Sequence, residues 1–161
     1  MAANRFTKDQ RMNLLKGVAL FSNCTREELQ RISSLTTLTS VDKGTVLMLQ
    51  GQPGNEFFIV VSGTATATRN ERELAQYGPG SFFGELALLD GGSRTATVYA
   101  ASDMELLVLS RSEFRSLQVT APSVAFKILN ELGGRLRRAD QILDEYLETG
   151  STITVPTNWT L

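Results

Sequence analysis

The chain of 161 residues contains no histidine. Histidine is the usual general base at neutral pH and the commonest zinc ligand. Its absence removes Ser–His and Cys–His nucleophile systems and histidine-bound metal sites from consideration. The carboxylates form no cluster suited to two metals, so metal-assisted hydrolysis is not expected either, and no metal site or enzymatic role is assigned. There is one cysteine, Cys24. A lone cysteine excludes an internal disulfide and fits a reducing, cytoplasmic setting, where a small packed residue is expected rather than a reactive thiol. No apolar run is long enough to cross a bilayer, and the polar start MAANRFTKDQ lacks the apolar core of a secretion signal. Without such a signal, Asn23-Cys24-Thr25 and Asn158-Trp159-Thr160 read as chance matches to the glycosylation sequon. The net charge of −1 supplies no overall field toward nucleic acid or an anionic membrane.

What is present fits a globular chain. A hydrophobic share of 42% with 20% charged residues is ordinary, and this length suits one domain over residues 1–148 with a sizeable core. Residues 6–35 read as helical. Thr7 with Gln10 and Thr25 with Glu28 are capping-box pairs, and Gly17 and Ser22-Asn23 divide the run. From 36 to 109 the period changes to two and β-formers dominate. Val46-Leu47-Met48-Leu49 is expected as a buried strand and Phe57-Phe58-Ile59-Val60-Val61 as a strongly apolar one. Asn70-Glu71-Arg72-Glu73 reads as a hairpin tip. Turns recur about every ten residues, as in a sandwich or barrel. Gly51, Gly63, Gly78 and Gly80 are expected at corners where φ is positive. Ser110 with Glu113 caps a short helix to Gln118. After Pro122 a long helix is expected from Val124 to Glu148, with Gly133-Gly134 inside it as a close-approach point or hinge.

The stretch FGELALLDGGSRTATV, residues 83–98, holds the most chemistry. Glu85 near its start is followed nine residues later by Arg94. The guanidinium fork of Arg94 matches two phosphate oxygens. Ionised Glu85 only accepts hydrogen bonds, so it repels phosphate and suits a sugar hydroxyl. Gly84 permits close backbone approach, and Leu86, Ala87 and Leu88 can form one helical turn whose first N–H groups attract an anion. Thr95 adds a hydroxyl beside the guanidinium. On spacing alone, a simple Glu85–Arg94 pair across a hairpin fits as well as a site for a phosphorylated sugar.

This stretch resembles the phosphate-binding cassette of the cyclic nucleotide-binding domain family, through Phe83-Gly84-Glu85-Leu86-Ala87-Leu88 and Arg94-Thr95-Ala96-Thr97-Val98. GVALFSNCTREELQRISSL, GQPGNEFFIVVSG and YGPGSFFGE resemble further elements, so the likeness covers roughly residues 17–145. It implies a mainly β fold with flanking helices. An antiparallel, jelly-roll-like β-roll would carry an N-terminal helical bundle (6–35) and C-terminal helices (110–148). It implies that Arg94, with Thr95 and the Leu86 and Ala87 N–H groups, holds a cyclic phosphate, and that Glu85, with Gly84, holds the ribose. The base would meet Phe83, Arg135, Leu136, Ala139 and Asp140. The bacterial look of the Arg135-Leu136-Arg137-Arg138 run favours cAMP. Thr95 keeps cGMP as the alternative.

The long helix carries a seam: Ala125, Leu129, Leu132, Leu136, Ala139, Leu143 and Tyr146 are spaced alternately four and three apart. That stripe suits a two-helix coiled coil and a homodimer, or packing on the chain's own β-roll. Arg135, Arg137 and Arg138 are followed by Asp140, Asp144, Glu145 and Glu148, so intrahelical pairs are expected rather than a nucleic-acid face. The bacterial transcription factors of the family place a winged helix-turn-helix after this helix. The sequence leaves no room for one before Leu161, so no direct DNA binding is expected. The reading is a sensor that signals to a protein effector through its C-terminal helix. The other readings on the same fold are a ligand-free scaffold and, disfavoured by the missing histidines, a phosphodiesterase. Residues 149–161 read as a frayed tail, or as a strand through Ile153, Val155 and Trp159 that docks elsewhere.

Overall fold

The computed structural model describes residues 6–150. The expected tail strand lies outside the described residues. Two four-stranded antiparallel sheets face each other, in the orders β1-β8-β3-β6 and β2-β7-β4-β5. The strands are β1 (Thr37–Val41), β2 (Val46–Met48), β3 (Glu56–Ser62), β4 (Ala65–Arg69), β5 (Arg72–Tyr77), β6 (Phe82–Phe83), β7 (Thr97–Ala100) and β8 (Met104–Ser110). Helices α1 (Lys8–Gly17) and α2 (Arg26–Leu35) precede the roll, and α3 (Leu86–Leu89) interrupts it. Helices α4 (Arg111–Thr120) and α5 (Pro122–Thr149) follow.

Strand β3 explains the architecture. Side chains alternate across a strand, so an unbroken apolar run must be covered on both faces. Phe57 and Ile59 join a core made with the helices, including Leu15, Phe21, Ile32, Phe114, Leu117 and Ile128. Phe58 and Val60 join the second core between the sheets, with Tyr77, Phe83, Val98 and Leu106. The helices are therefore bound to the roll through alternate residues of β3, joined by Phe82 of β6 and Leu107 and Leu109 of β8. The β4–β5 hairpin turns at Asn70 and Glu71, both at positive φ, which matches the twist of the flanking strands.

Several local expectations change. β2 is paired only with β7, across an irregular register. Val46 and Leu49 are exposed and Met48 alone is buried, so the segment is not the covered strand expected. Gly51, Gly63 and Gly80 have the expected positive φ, but Gly78 does not. The long helix begins at Pro122, whose missing N–H costs nothing in the first turn. It passes unbroken through Gly133-Gly134 and stops at Gly150 in the left-handed conformation. Within the arginine cluster, the observed ion pair runs back from Arg138 to Glu131 at 3.8 Å, not forward to the later acids.

One polar node ties α2 to α5. The Glu28 carboxylate accepts from the Thr25 N–H at 2.7 Å, completing the capping box. It also accepts from Lys127 Nζ at 2.7 Å and from Ser123 Oγ at 3.1 Å. The Lys127 hydrogen bond and the Thr25 N–H hold the Glu28 carboxyl below its ordinary value of 4.5. Glu28→Ala is expected to lower stability by about 1–2 kcal/mol in chemical denaturation, from the lost cap arm and ion pair together. A depressed carboxylate stabilises above its unfolded pKa. The wild-type advantage should therefore be full at neutral pH and fade as pH falls below about 4.5.

Candidate functional site

The β2–β3 loop and the segment before β7 build the site from main chain first. The Gly51 N–H donates to the Arg94 carbonyl at 2.9 Å, and the Arg94 N–H donates to Gln52 at 2.8 Å. Pro53 and Ser93 form an isolated bridge beside them. These bonds fix where the Arg94 side chain starts. Its guanidinium then donates to the Glu56 carbonyl at 2.9 Å and, over a longer 3.5 Å, to the Gly84 carbonyl. The Phe58 ring lies 5.9 Å from it. Arg94 is only 9% exposed. Burial pushes its pKa down, and the Glu56 carboxylate partly opposes that. Carbonyls hold the fork without cancelling its charge, which leaves a partly dry cation suited to an anion.

Around it, Gly84, Leu86, Ala87, Ser93 and Thr95 line a cavity of about 20 Å³ shared with Arg94 and backed by Met48. That volume holds about one water. Gly84 sits at φ 81°, a conformation that glycine adopts without strain. The Ala87 N–H, expected to face phosphate, donates to the Gly84 carbonyl at 3.2 Å instead. Thr95 is steadied by Arg69, whose Nε–H donates to its carbonyl at 2.9 Å.

Glu85 is 2% exposed and immediately precedes α3. Its charge acts on Tyr77, whose pKa is pushed up to about 12 by burial and then by Glu85, against a smaller opposing effect of Arg69. Its charge also acts on Arg135 of α5. Arg135 stacks over Phe82 at 4.3 Å. Burial pushes its pKa down while Glu85 and Glu131 push it up and Arg138 opposes them. The structure thus brings Arg94, Gly84, Leu86, Ala87 and Thr95 to one cavity, and brings Arg135 into the field of Glu85. Leu136, Ala139 and Asp140 do not line that cavity, and Leu136 and Asp140 are exposed. Phe83, expected at the base, is a core residue stacked on Phe58 at 5.1 Å and packed on Tyr77 at 5.1 Å.

Sequence reasoning missed Gly54, Glu56 and Arg69 as parts of the site. Glu56 acts through its carbonyl, which carries no sequence signal. Arg69 sits in a polar hairpin that reads as solvated. Among the described residues, no group of three or more Cys, Asp or Glu could hold a metal ion.

Residues 38–120 match the model of the cyclic nucleotide-binding domain. The chain is 37% identical to the cyclic AMP receptor protein of Thermus thermophilus over 135 residues, 81% of this chain and 62% of that protein. The N-terminal domain of a transcriptional regulator from Streptomyces coelicolor superimposes with a TM-score of 0.75 at 27% identity, over 81% of this chain and 94% of that one. The regulatory domain of Toxoplasma gondii PKA, solved with cAMP, gives 0.64 at 31% identity, over 68% and 43%. The chain belongs to the cyclic nucleotide-binding domain family, a regulatory β-roll fold. It spans less than two thirds of the Thermus relative.

The electrostatics around Glu85 give a pH prediction. A phenol whose folded pKa is raised stabilises fully below its unfolded value of about 10 and loses that contribution as pH rises toward 12. Tyr77→Phe should therefore flatten the fall in stability between about pH 10 and 12. Absorbance titration near 295 nm should show one late-ionising phenol missing from the variant.

Proposed function

We propose that this chain is a cyclic-nucleotide sensor, with cAMP the favoured ligand, that passes the binding event through α5 to a protein partner. The observation that carries this reading is Arg94: a buried guanidinium held by carbonyls beside Gly84 and Thr95. In the proposed complex Arg94 and Thr95 meet the cyclic phosphate, the Leu86 N–H assists, and Glu85 takes the ribose hydroxyl. Ala87 joins only if its bond to Gly84 opens. The base lies toward Leu136, Ala139 and Asp140.

The cavity beside Arg94 has room for about one water, so the larger part of a nucleotide would lie outside it or require the cassette to move. A ligand drives such a movement only through higher affinity for the open arrangement. Glu85 connects that movement to α5, because its charge acts on Arg135. Ribose binding changes the surroundings of Glu85 and so the packing of Arg135 on Phe82. The small volume beside Arg94, about 20 Å³, is the observation that favours the second reading, a scaffold of this fold that signals without ligand.

The exposed far half of α5 supports a homodimer. Leu136, Leu143, Tyr146 and Leu147 are exposed on it, an apolar stripe unusual for a free helix. Two arginines of its basic cluster are engaged, Arg135 on Phe82 and Arg138 with Glu131, which favours a protein effector over a nucleic-acid face.

Calorimetry with cAMP and cGMP tests the sensor. Arg94→Ala is expected to lose about 2–5 kcal/mol of binding, the cost of removing one member of a buried charge pair. Unchanged affinity would overturn the role of Arg94, and no binding of either nucleotide would leave the scaffold. Incubation followed by chromatography should return intact nucleotide. Light scattering should give a dimer mass that Leu136→Glu with Leu143→Glu converts to a monomer.

A further inference from the structure

The β2–β3 loop has one position with no room for a side chain, and the obstacle is Arg94. A β-carbon added to Gly54 would overlap Arg94 at Nε and Cζ and stand 2.6 Å from Cδ. Backbone conformation does not call for glycine at this position, since Gly54 is absent from the residues with positive φ. Its requirement is space alone.

The two surfaces that could give way are both tied. The loop is bound to the Arg94 strand segment by the Gly51 and Gln52 hydrogen bonds and the Pro53–Ser93 bridge. The guanidinium is anchored to the Glu56 carbonyl at 2.9 Å. A second glycine also lies close to the fork, because a β-carbon on Gly84 would stand 3.0 Å from Nη1. Two glycine backbones therefore approach the cation. Between those two restraints, a side-chain fork bends more readily than a doubly bonded loop.

We propose that Gly54 is a positioning residue for Arg94: its bare backbone lets the guanidinium lie close against the loop, which aims the fork at the cavity beside Gly84 and Thr95. The role in ligand affinity rests on the sensor reading, whereas the positioning itself does not. An alanine here lifts the fork from the loop, stretches its bond to Glu56 and turns its N–H groups away from a bound phosphate. The inference separates Gly54 from Gly78, where an added β-carbon meets nothing within 4 Å.

The test is a stability cycle with a binding arm. Gly54→Ala should lower the melting temperature in the wild-type background and leave it nearly unchanged in an Arg94→Ala background, where the obstacle is gone. It should also weaken cAMP binding at least tenfold, while Gly78→Ala binds as wild type. Equal destabilisation in both backgrounds, or wild-type melting and affinity for Gly54→Ala, overturns the proposal. If Gly54→Ala does not fold alone, recovery of folding in the double variant supports it, and failure of both variants to fold overturns it. If the wild-type chain binds neither cAMP nor cGMP, the sensor reading falls and the melting cycle alone decides the positioning.

Discussion

A guanidinium withdrawn from water has to be held by something, and here it is held by main chain. The carbonyls of Glu56 and Gly84 accept from Arg94, and the loop that supplies the first is itself bonded to the Arg94 backbone on both sides. A carboxylate pressed directly on the fork would neutralise it, whereas carbonyls orient it and leave its charge available. The cassette can be small because its cation needs no side-chain scaffold. It needs two loop segments at the right separation and glycines that let the fork approach their backbones closely.

That separation is set by the roll. Strand β3 carries Glu56 at its start and buries alternate residues in two different cores, one with the helices and one between the sheets. A shift of one residue in β3 would exchange its faces and move the Glu56 carbonyl off Arg94. The packing that stabilises the fold therefore also fixes the geometry of the site. The same strand joins the helices to the roll. The Glu28–Lys127 pair between α2 and α5 and the Arg135–Phe82 contact make further connections from helix to roll and from helix to helix. The charge of Glu85 also acts on Arg135 of α5.

Much of this was legible in the sequence. The capping boxes at Thr7, Thr25 and Ser110 are all formed, because a side-chain cap is a local interaction within four residues. The apolar run at Phe57–Val61, the hairpin at Asn70-Glu71 and the single turn after Glu85 follow from equally local chemistry. The edge position of β2 and its exposure at Val46 were not legible, since Val46-Leu47-Met48 has the composition of a covered strand and only the tertiary packing decides which of its residues are covered. Nor was the fate of Phe83, whose place in the core depends on Phe58 and Tyr77 arriving from other strands.

For the candidate site, the sequence by itself determined which functional groups are on offer: a fork of donors at Arg94, an acceptor at Glu85 and a glycine between strand and turn. Charge and hydrogen-bonding capacity belong to residue types, so they can be read before folding. Only the tertiary structure decided what each of them meets. Arg94 rests on Gly54 and the Glu56 carbonyl, the charge of Glu85 acts on Tyr77 and Arg135, and Ala87 spends its N–H inside its own turn. Those partners lie up to some fifty residues away in the chain. Only the packed β-roll brings them close to one another.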